Sequence, residues 1–280
     1  MIDGLVKSID KNIPIVIVEN SQDQDLKNRL EKEHKNVRVI IPNENLGFAK
    51  GANLGIRETK TEYVFLNPSD VVLPKKCVDE LIECLKTFKD FAMFAPTYKD
   101  EEIYRNYELY SNKPEINNNV AKKFGIKEVD IIDGTFIIKK SEFEKIGLFD
   151  ENIFLYFEPW DLSKRVTQAG KKIYVCEKIK FEHLGNQSHE PKFNFEATLN
   201  RNWHYCWSKF YYLKKYNNYF YAFKATLPTL IKAFIKCIKS KLLNNKKDYQ
   251  IHMAEIKGLI AAYFLRKSTY RPYESIKKTS

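Results

Sequence analysis

Oxygen-bearing side chains follow an apolar stretch of the sequence, in the segment Asn67-Pro68-Ser69-Asp70. Hard divalent cations prefer carboxylate and other oxygen ligands, so this segment could hold a cation against a diphosphate. An aspartate in this position is also a good N-cap for a following helix, and the segment read alone favours the cap. His183 stands at the end of another apolar stretch, where a single histidine is more often structural than a ligand.

Glycine and asparagine recur through Asn45-Leu46-Gly47-Phe48-Ala49-Lys50-Gly51-Ala52-Asn53-Leu54-Gly55. Glycines in a turn let backbone N–H groups approach a ligand, and asparagine side chains can bond to ribose or phosphate. A tight turn from a strand into a helix explains the same residues equally well. The segment lacks the Gly-Lys-Ser/Thr sequence, so it is not a P-loop.

Two acids flank a Pro-Trp pair in Tyr156-Phe157-Glu158-Pro159-Trp160-Asp161, directly after an aromatic run. Carboxylates beside aromatic rings tend to have raised pKa values and can act as general bases. Acids in the first turn of a helix are equally favoured by the helix dipole, so both interpretations stay open at this point.

These residues need strands and helices to position them, and the hydrophobic pattern predicts both. Short β-branched or apolar runs predict strands over 13–19, 37–41 and 63–66. Between them, 23–34 and 47–57 are compatible with helices, and a further helix opens at 73–74. This alternation predicts a parallel sheet covered on both faces. Ligands of such sheets lie at the carboxyl ends of strands, which is where Glu19, Asn20, Asn67 and Asp70 fall.

The second half of the sequence has a less regular pattern. Residues 98–128 are polar and predict a loop or flap, whereas 130–139 are strand-like. Residues 172–176 and 178–182 predict two more strands. From about Phe195 the pattern is helical almost to the C-terminus, with an interruption at Pro228.

Composition excludes several classes of protein. With 44% hydrophobic residues the 280-residue chain can bury a sizeable core, so it is not disordered. No apolar stretch is long enough to span a membrane, and the N-terminus lacks a basic-then-apolar signal pattern. Five cysteines without a CxxC motif fit reduced thiols in a cytoplasmic protein.

The net charge of +11 is concentrated at one end of the chain. Residues 201–280 carry 17 Lys and Arg against three acids, and 17 of the 39 aromatic residues. Such a basic, aromatic tail suggests an anionic surface as a partner. Within it, 229–243 place Ile231, Phe234, Ile235, Ile238 and Leu242 on one helical face and Lys232, Lys236 and Lys239 on another. This helix could lie in an anionic membrane leaflet, or it could be an ordinary helix packed on the body.

The order and spacing of these motifs resemble the family 2 glycosyltransferases of the GT-A fold, and especially their bacterial rhamnosyltransferase-like branch. The resemblance covers roughly residues 1–190. The segments that carry it are Glu19-Asn20-Ser21, 45–55, Asn67-Pro68-Ser69-Asp70, Asp133-Gly134-Thr135, Gly147-Leu148-Phe149-Asp150-Glu151, Phe154 to Arg165, and His183. It implies an α/β GT-A fold over residues 1–194, with a mixed sheet flanked by helices, and a helical, basic C-terminal region over residues 195–280.

The resemblance also implies an inverting, metal-dependent sugar transfer in bacterial surface polysaccharide (O-antigen-like) biosynthesis. The donor would be a nucleotide-diphosphate sugar with dTDP or UDP, and the acceptor a glycan or lipid-linked sugar. Asp70, Asn67 and His183 would hold Mg²⁺ or Mn²⁺, and Glu158 or Asp161 would act as the base. The remaining implied roles are nucleotide-sugar binding by Glu19, Asn20, Asn45, Gly47, Phe48, Gly51 and Asn53, and contacts on the acceptor or donor-sugar side by Asp133, Gly134 and Trp160.

Three departures from the family pattern are visible. Met1-Ile2-Asp3-Gly4-Leu5 matches the family's first helix, so the family's first strand and its nucleotide-contacting loop are expected to be missing. Ser69 interrupts the family's Asn-Pro-Asp, and Pro159 takes the acidic position usually credited as the base.

Two alternatives therefore accompany the main prediction. The first is a catalytically impaired glycosyltransferase-like protein. The second, more remote, is a nucleic-acid-binding protein with a basic, aromatic tail, although this alternative leaves the acidic motifs and His183 unexplained. The main prediction places the enzyme in the cytoplasm or on the inner face of the cell membrane, without a nucleic acid partner.

Overall fold

A computed structural model describes residues 6, 9, 12–69, 71–74, 76–99, 105–183 and 191–271, without the side chains of Val72, His183 and Pro191. Of the predicted metal ligands, Asp70 and the side chain of His183 therefore lie outside the described residues. The chain forms two compact units. The first comprises Met1–Asp150 and Pro159–Ser188, and the second comprises Glu151–Glu158 and His189–Ser280.

The first unit contains a mixed sheet of six strands. Its strands are β3 (Tyr63–Leu66), β4 (Val71–Val72), β5 (Met93–Tyr98), β7 (Ile126–Glu128), β9 (Phe136–Lys139) and β10 (Ile173–His183). The order is β3-β9-β5-β10-β4, and β7 pairs with β10. Only the β5–β10 pair is parallel among these described pairings, so the predicted all-parallel sheet is wrong and the mixed sheet implied by the resemblance is confirmed.

Two further pairs of strands stand apart from this sheet. β1 (Ile15–Val18) pairs in parallel with β2 (Val37–Ile40), and β6 (Tyr107–Glu108) pairs with β8 (Ile131–Ile132). Within the described residues β1 is bonded only to β2, and β3 only to β9. One edge of each of these two strands is therefore without a strand partner in that part of the chain.

Among the residues that the structure describes, six helices flank the strands of the first unit. They are α1 (Gln24–Glu33), α2 (Gly47–Glu58), α3 (Cys77–Thr87), α4 (Asn119–Phe124), α5 (Lys140–Ile146) and α6 (Glu158–Gln168). Helix α2 joins the small β1–β2 sheet to the large sheet. The side chain of Val18 on β1 faces Gly51 and Gly55 of α2, whereas Ala49 and Ile56 of α2 share a buried core with the large sheet.

Three predictions for the first unit need correction. The predicted loop over 98–128 contains β6, α4 and β7, because Asn118 caps α4 and Gly125 ends it in the left-handed conformation. The strand predicted over 130–139 is divided into β8 and β9 at Asp133–Thr135. The two strands predicted over 172–182 are one strand, β10, whose register with β5 shifts between Cys176 and Lys180.

The second unit is built on three helices, α7 (Asn194–Tyr216), α8 (Tyr219–Leu242) and α9 (Lys246–Tyr263), after a short 3₁₀ turn at Pro191–Phe193. Trp203, Trp207 and Phe210 of α7 pack with Ala222 of α8 and with small residues of α9. None of the helices in the described parts of the chain is long and apolar enough to cross a membrane.

Pro228 does not interrupt the helical region as predicted, because it lies inside α8. The helical region is divided instead where Asn218 and Asn245 cap the following helices by accepting hydrogen bonds from Tyr221 N and Asp248 N. Capping asparagines satisfy the first N–H groups of a helix, which makes a new start favourable at those residues.

Gly258 allows α9 to approach α7 closely. A Cβ atom at this position would lie 2.4 Å from the main-chain oxygen of Trp203 and 3.1 Å from its carbonyl carbon. Both neighbours are backbone atoms, so they cannot move aside without shifting the helix. Gly258 is therefore a packing requirement of the three-helix unit.

We expect Gly258→Ala to lower the free energy of unfolding by about 2 kcal/mol, because the added methyl group overpacks the contact. A Gly→Ala change inside a helix ordinarily stabilises by about 0.5–1 kcal/mol, so the sign of the effect is diagnostic. Gly55→Ala on α2 is the matched control, since its Cβ would lie 3.5 Å from Val18 Cγ2. Urea unfolding followed by circular dichroism measures both variants, and equal stabilisation by both would contradict this account of the packing.

His204 is fully buried in α7 and fastens the segment that follows α9. Its Nε2 lies 2.9 Å from the carbonyl oxygen of Tyr270, and its Nδ1 lies 2.9 Å from Ser268 Oγ. A carbonyl can only accept a hydrogen bond, so Nε2 carries the proton and Nδ1 accepts from the serine hydroxyl. Burial, reinforced by the charge of Arg271, lowers the pKa of His204 from 6.5 to about 3, against the opposing effect of the Tyr270 bond.

This lowered pKa predicts a loss of stability in mild acid. The unfolded chain takes up a proton at His204 near pH 6.5, whereas the folded chain does so only near pH 3, so the stabilisation is complete above pH 6.5 and is lost as the pH falls below it. We expect this residue to account for about 2 kcal/mol of lost stability between pH 7 and pH 5. Urea unfolding at a series of pH values gives the free energy of unfolding as a function of pH. Its slope between pH 7 and pH 5 should be shallower for His204→Asn than for the wild type. His252→Asn is the control, and an identical slope in wild type and His204→Asn would contradict the prediction.

Candidate active site

The end of β1 and the start of α2 hold four of the seven predicted nucleotide-binding residues, namely Glu19, Asn20, Asn45 and Gly47. The Asn20 amide donates to the carbonyl oxygen of Gly47 (3.3 Å) and accepts from the backbone N–H of Leu46 (3.1 Å). Asn45 Oδ1 accepts from the N–H of Gly47 (2.9 Å), which has a φ of 70° that favours glycine. Glu19 Oε1 accepts from the N–H and the hydroxyl of Ser21. These hydrogen bonds hold the end of β1 to the start of α2.

Gly51 and Phe48 also serve this corner. A Cβ atom on Gly51 would lie 3.3 Å from Asn20 Nδ2, so the glycine leaves room for the asparagine that holds the turn. Phe48 packs edge-on against Phe149, with ring centroids 5.5 Å apart. The first glycine-rich turn is therefore both a strand-to-helix connection and the place where backbone groups are brought to the carboxyl end of β1.

Asn53 is fully buried and bonds to the main chain of Phe149 in two directions. Its Nδ2 donates to the carbonyl oxygen and its Oδ1 accepts from the N–H, each at 2.9 Å. The structure thus places this predicted nucleotide-binding side chain inside the protein, where it fixes the segment after α5.

Arg165 of α6 holds the same segment from another side. Its guanidinium donates to the carbonyl oxygens of Ile146 (3.2 Å), Gly147 and Leu148 (2.7 Å). Its Nε donates to Asp161 Oδ2 (2.9 Å), and the Asp161 side chain is fully buried. Buried charges need a partner, so Asp161 and Arg165 stabilise each other while the arginine satisfies three consecutive carbonyls.

Asn67 and the Asp133–Thr135 segment are brought together by the pairing of β3 with β9, in which Leu66 lies opposite Phe136. Thr135 Oγ1 donates to Asn67 Oδ1 (3.0 Å), and Asp133 Oδ1 accepts from the N–H of Gly134 (2.7 Å). Gly134 has a φ of 79°, and a Cβ atom there would lie 2.7 Å from the Tyr98 hydroxyl oxygen. The segment therefore requires a glycine next to the end of β3.

Strand register brings the backbone of His183 beside the residue that follows Asp70. β10 pairs antiparallel with β4, and His183 lies opposite Val71, the residue that follows Asp70 in the sequence. The N–H of Val71 donates to the carbonyl oxygen of Pro68 (3.3 Å), which closes a turn after Asn67. No group of three or more His, Cys, Asp or Glu side chains is placed to hold a metal among the residues that the structure describes. A carboxylate, an amide oxygen and an imidazole form a donor set that suits Mg²⁺ or Mn²⁺.

The two residues before Glu158 have a strained backbone. Tyr156 and Phe157 have φ values of 68° and 70°, in the left-handed region that bulky residues rarely adopt. Such residues cost about 1–3 kcal/mol each and persist only where the surroundings fix them. Here Tyr205 of α7 packs against both rings, with centroids 5.7 and 5.6 Å away. Strain of this kind concentrates at functional sites.

Helix α7 fixes the rest of this segment as well. Ser208 Oγ donates to the carbonyl oxygen of Leu155 (2.8 Å), and His204 stacks on Phe154 with ring centroids 4.6 Å apart. The guanidinium of Arg271 lies 3.3 Å from the centroid of the Phe154 ring. Polar and aromatic side chains of α7 thus pack on residues 154–157.

Glu158, Pro159 and Trp160 form the first turn of α6. Glu158 and Pro159 are buried, whereas Trp160 is partly exposed. Proline is tolerated in a first helical turn because the N–H groups there have no partner within the helix. The two predicted acids lie three residues apart on one helix but differ in surroundings, since the Asp161 side chain is paired with Arg165.

Two polar residues near the candidate site were not singled out by the sequence. One is Arg165, whose i,i+4 spacing from Asp161 is the signal that could have indicated the pair. The other is Asn106, which is fully buried and donates from Nδ2 to the carbonyl oxygen of Pro96 (2.9 Å). Its backbone carbonyl accepts from the N–H of Asp133 (2.8 Å). Asn106 lies in the polar stretch predicted as a loop, where no periodic signal marks it.

Comparison with known proteins identifies several that this chain resembles. The chain is 25% identical over 191 residues to the dTDP-rhamnosyl transferase RfbF of Shigella flexneri, covering 64% of this chain and 62% of that protein. It is 25% identical over 197 residues to the O-antigen chain rhamnosyltransferase WbaN of Salmonella anatum, covering 67% and 61% of the two chains. The matched region thus spans about three-fifths of the length of these relatives.

Among solved structures, the chain is similar to the mannosyltransferase PcManGT from Pyrobaculum calidifontis in complex with GDP-Man and Mn²⁺. The TM-score is 0.56 at 11% identity, and the match covers 94% of this chain and 82% of that one. At this identity the likeness concerns the fold, and it confirms the GT-A architecture.

The sequence profile described as Glycosyl transferase family 2 matches residues 1–147, more than half of the chain. This range contains the corner held by Asn20, the buried Asn53, and the turn between Asn67 and Val71. The chain belongs to glycosyl transferase family 2.

Proposed function

We propose that this glycosyltransferase moves a sugar from a nucleotide-diphosphate donor, with inversion and with a divalent cation, to a glycan or lipid-linked acceptor. The observation that carries this proposal is the register of β4 and β10. It sets His183 opposite the residue after Asp70, at the sheet end where Asn67 also lies. The register thus brings the backbone at position 183 beside that at position 71, although these positions are more than 100 residues apart in sequence.

Asp70, Asn67 and His183 would hold Mg²⁺ or Mn²⁺ at this place. The cation, when bound, neutralises the charge that develops on the departing diphosphate. Thr135 orients Asn67 through the hydrogen bond to its amide oxygen. Gly134 leaves the space beside Tyr98 that any side chain would fill.

The corner between β1 and α2 would bind the nucleoside. Glu19 and Asn45 carry the polar groups, and Gly47 lets the backbone turn closely around a ligand. Asn20 and Asn53 act by positioning in this proposal, because their amides bond to the 46–47 turn and to Phe149. Phe48 and Gly51 shape this corner in our proposal and contribute no charged group to it.

Glu158 is the proposed base. The Asp161 side chain is fully buried and paired with the Arg165 guanidinium, so we assign it a structural role. Glu158 follows the strained Tyr156-Phe157 pair, whose geometry is fixed by α7. Its carboxylate would take the proton of the acceptor hydroxyl while the oxygen attacks the anomeric carbon and the nucleotide diphosphate leaves. Attack on the face opposite the leaving group gives inversion. Asp133 and Trp160 would contact the sugars.

The relatives support a role in surface polysaccharide biosynthesis. One is named as a dTDP-rhamnosyl transferase and the other as an O-antigen chain rhamnosyltransferase. We therefore propose a dTDP- or UDP-sugar as donor, with rhamnose as the first sugar to test. A lipid-linked acceptor would place the reaction on the cytoplasmic face of a membrane.

A catalytically impaired protein is the second candidate, and Pro159 is the observation that favours it. A proline has no group that can accept a proton, and it occupies the position that the family fills with an acid. An impaired protein of this kind would still bind a nucleotide with its metal but would not turn over donor and acceptor.

The first test is a thermal-shift titration with UDP, dTDP and GDP, each with and without Mn²⁺. We expect one nucleotide to raise the melting temperature only when the metal is present, because a cation held by these residues would offset the charge of the diphosphate. Asp70→Asn should abolish the metal-dependent part, whereas Asp79→Asn on α3 should leave it unchanged. A nucleotide shift that is the same without metal would contradict metal dependence, and no shift with any nucleotide would contradict the proposed site.

A second test separates the two acids. We expect Glu158→Gln to lower kcat at least a hundredfold with little change in KM for the donor, because only proton removal is lost. Asp161→Asn should instead lower the free energy of unfolding by about 3 kcal/mol, since it leaves the Arg165 guanidinium without its charge partner. Donor hydrolysis and sugar-transfer assays give the first quantity and urea unfolding gives the second. Unchanged turnover in Glu158→Gln would remove the base assignment.

A further inference from the structure

The outward face of α8 carries a row of large apolar side chains, which we call the apolar stripe. The exposed fractions of these residues range from 45% to 81%, and Leu242 is the most exposed. The stripe consists of Ile231, Phe234, Ile235, Ile238 and Leu242. At a rise of 1.5 Å per residue it extends for about 16 Å along the helix. Single exposed apolar residues are ordinary, but a contiguous row marks an interaction surface.

The stripe is not the face by which α8 packs in its own unit. That face is formed by Ala233, Cys237 and Ser240, which are buried, and Ala233 and Cys237 share a core with Ile256 of α9. At 100° per residue these three positions lie on the opposite side of the helix from Ile231, Ile235 and Ile238. The helix therefore has one apolar or small face that is covered and a second, larger apolar face that is exposed.

Lysines border the stripe on both sides. Lys232, Lys236 and Lys239 follow one flank, Lys241 lies on the other, and all four are exposed. Lys246 and Lys247 continue the positive charge into the first turn of α9, so that 232–248 hold six lysines against the single acid Asp248. Lysine side chains can lay their aliphatic part along an apolar surface and keep the ammonium group at the level of lipid headgroups.

We propose that the apolar stripe of α8 docks this enzyme on an anionic membrane surface, with the helix lying in the plane of the interface. The apolar side chains would enter the boundary between headgroups and acyl chains, and the lysines would contact anionic headgroups. The inference rests on the proposed function only in explaining why the enzyme would dock, which is to reach a lipid-linked acceptor. Docking itself needs neither donor nor acceptor.

Charge decides between a membrane and other occupants. In a symmetric dimer the same patch faces itself, so the lysines of two copies would be brought together around the stripe. Such like-charge contact is unfavourable. A nucleic acid would satisfy the lysines but would leave the five apolar side chains in water. An anionic bilayer satisfies both the charge and the apolar face.

The test is cosedimentation of the full chain with lipid vesicles, without nucleotide. We expect binding to vesicles of phosphatidylcholine mixed with phosphatidylglycerol, weaker binding at high salt, and little binding to phosphatidylcholine alone. Ile235→Asn with Ile238→Asn should lower the partition coefficient at least tenfold. Lys232→Ala, Lys236→Ala and Lys239→Ala together should lower it about a hundredfold, since each lysine near an anionic surface contributes about fivefold.

Matched controls separate docking from general effects of the substitutions. Lys60, Lys86 and Lys89 are exposed lysines of the first unit, and their replacement by alanine removes the same charge. Ile82→Asn with Leu109→Asn removes two exposed apolar side chains elsewhere. Both control variants should bind vesicles as wild type does. Circular dichroism and the nucleotide titration verify that every variant is folded, so a failure of docking is distinguishable from a failure of the proposed function.

Three outcomes would overturn the proposal. The first is equal binding to both kinds of vesicle, and the second is undiminished binding by the stripe variants. The third is self-association or RNA binding that is lost in the stripe variants while vesicle binding is absent. Light scattering and a titration with fluorescent RNA, both on the full chain, provide these readouts.

Discussion

The hydrogen bonds to the main chain of residues 146–149 are the constraint on which the first unit depends. Ile146 ends α5 and the next three residues lie outside any helix or strand, so their main-chain groups lack regular partners, and backbone groups without partners are costly where they are buried. Asn53 satisfies both polar groups of Phe149, and Arg165 satisfies the three carbonyls before it. These side chains come from α2 and α6, so a short irregular segment fixes two helices at once. Helix α2 begins at the proposed nucleotide-binding corner and α6 begins with the proposed base. Both helices are therefore held in place by this one hydrogen-bond network.

This network changes how the family motifs are understood. Asn53, Gly147 and Arg165 belong to motifs that resemble catalytic signatures, yet their side chains or backbones bond to other parts of the protein. Glu19, Asp133 and Glu158 remain for contact with substrates in our proposal. The motifs therefore combine two kinds of residue that sequence spacing does not separate. Hydrogen-bond partners separate them, because a side chain already bonded in two directions to buried backbone has little capacity left for a ligand.

The sequence predicted the local elements better than their pairing. The β-branched runs around β1, β2 and β3 have the expected positions, and Asp23 caps α1 as its residue type suggests. Pairing depends on residues far apart in the chain, so the alternation of strands and helices did not reveal that β9 runs antiparallel between β3 and β5. The prediction from Pro228 was wrong because the effect of a proline on a helix is local, whereas α8 is stabilised by packing on both α7 and α9. The Asp161–Arg165 pair was readable from spacing. The packing of α7 on residues 154–157 could not be predicted from spacing, since about 50 residues separate the partners in the sequence.

The small sheet of β1 and β2 has an energetic consequence for ligand binding. Its own core consists of four buried residues, Val6, Leu30, Val37 and Val39, and α2 joins it to the rest of the unit. A two-stranded ladder on so small a core opens locally more readily than the six-stranded sheet beside it. A nucleotide that binds only the closed form must then supply the free energy of closing, and its apparent affinity falls by the fraction of molecules that are open. Substitutions in this remote core would thus weaken binding of the donor although the substituted residues do not contact it. The cause would be a shift in a conformational equilibrium rather than a lost contact.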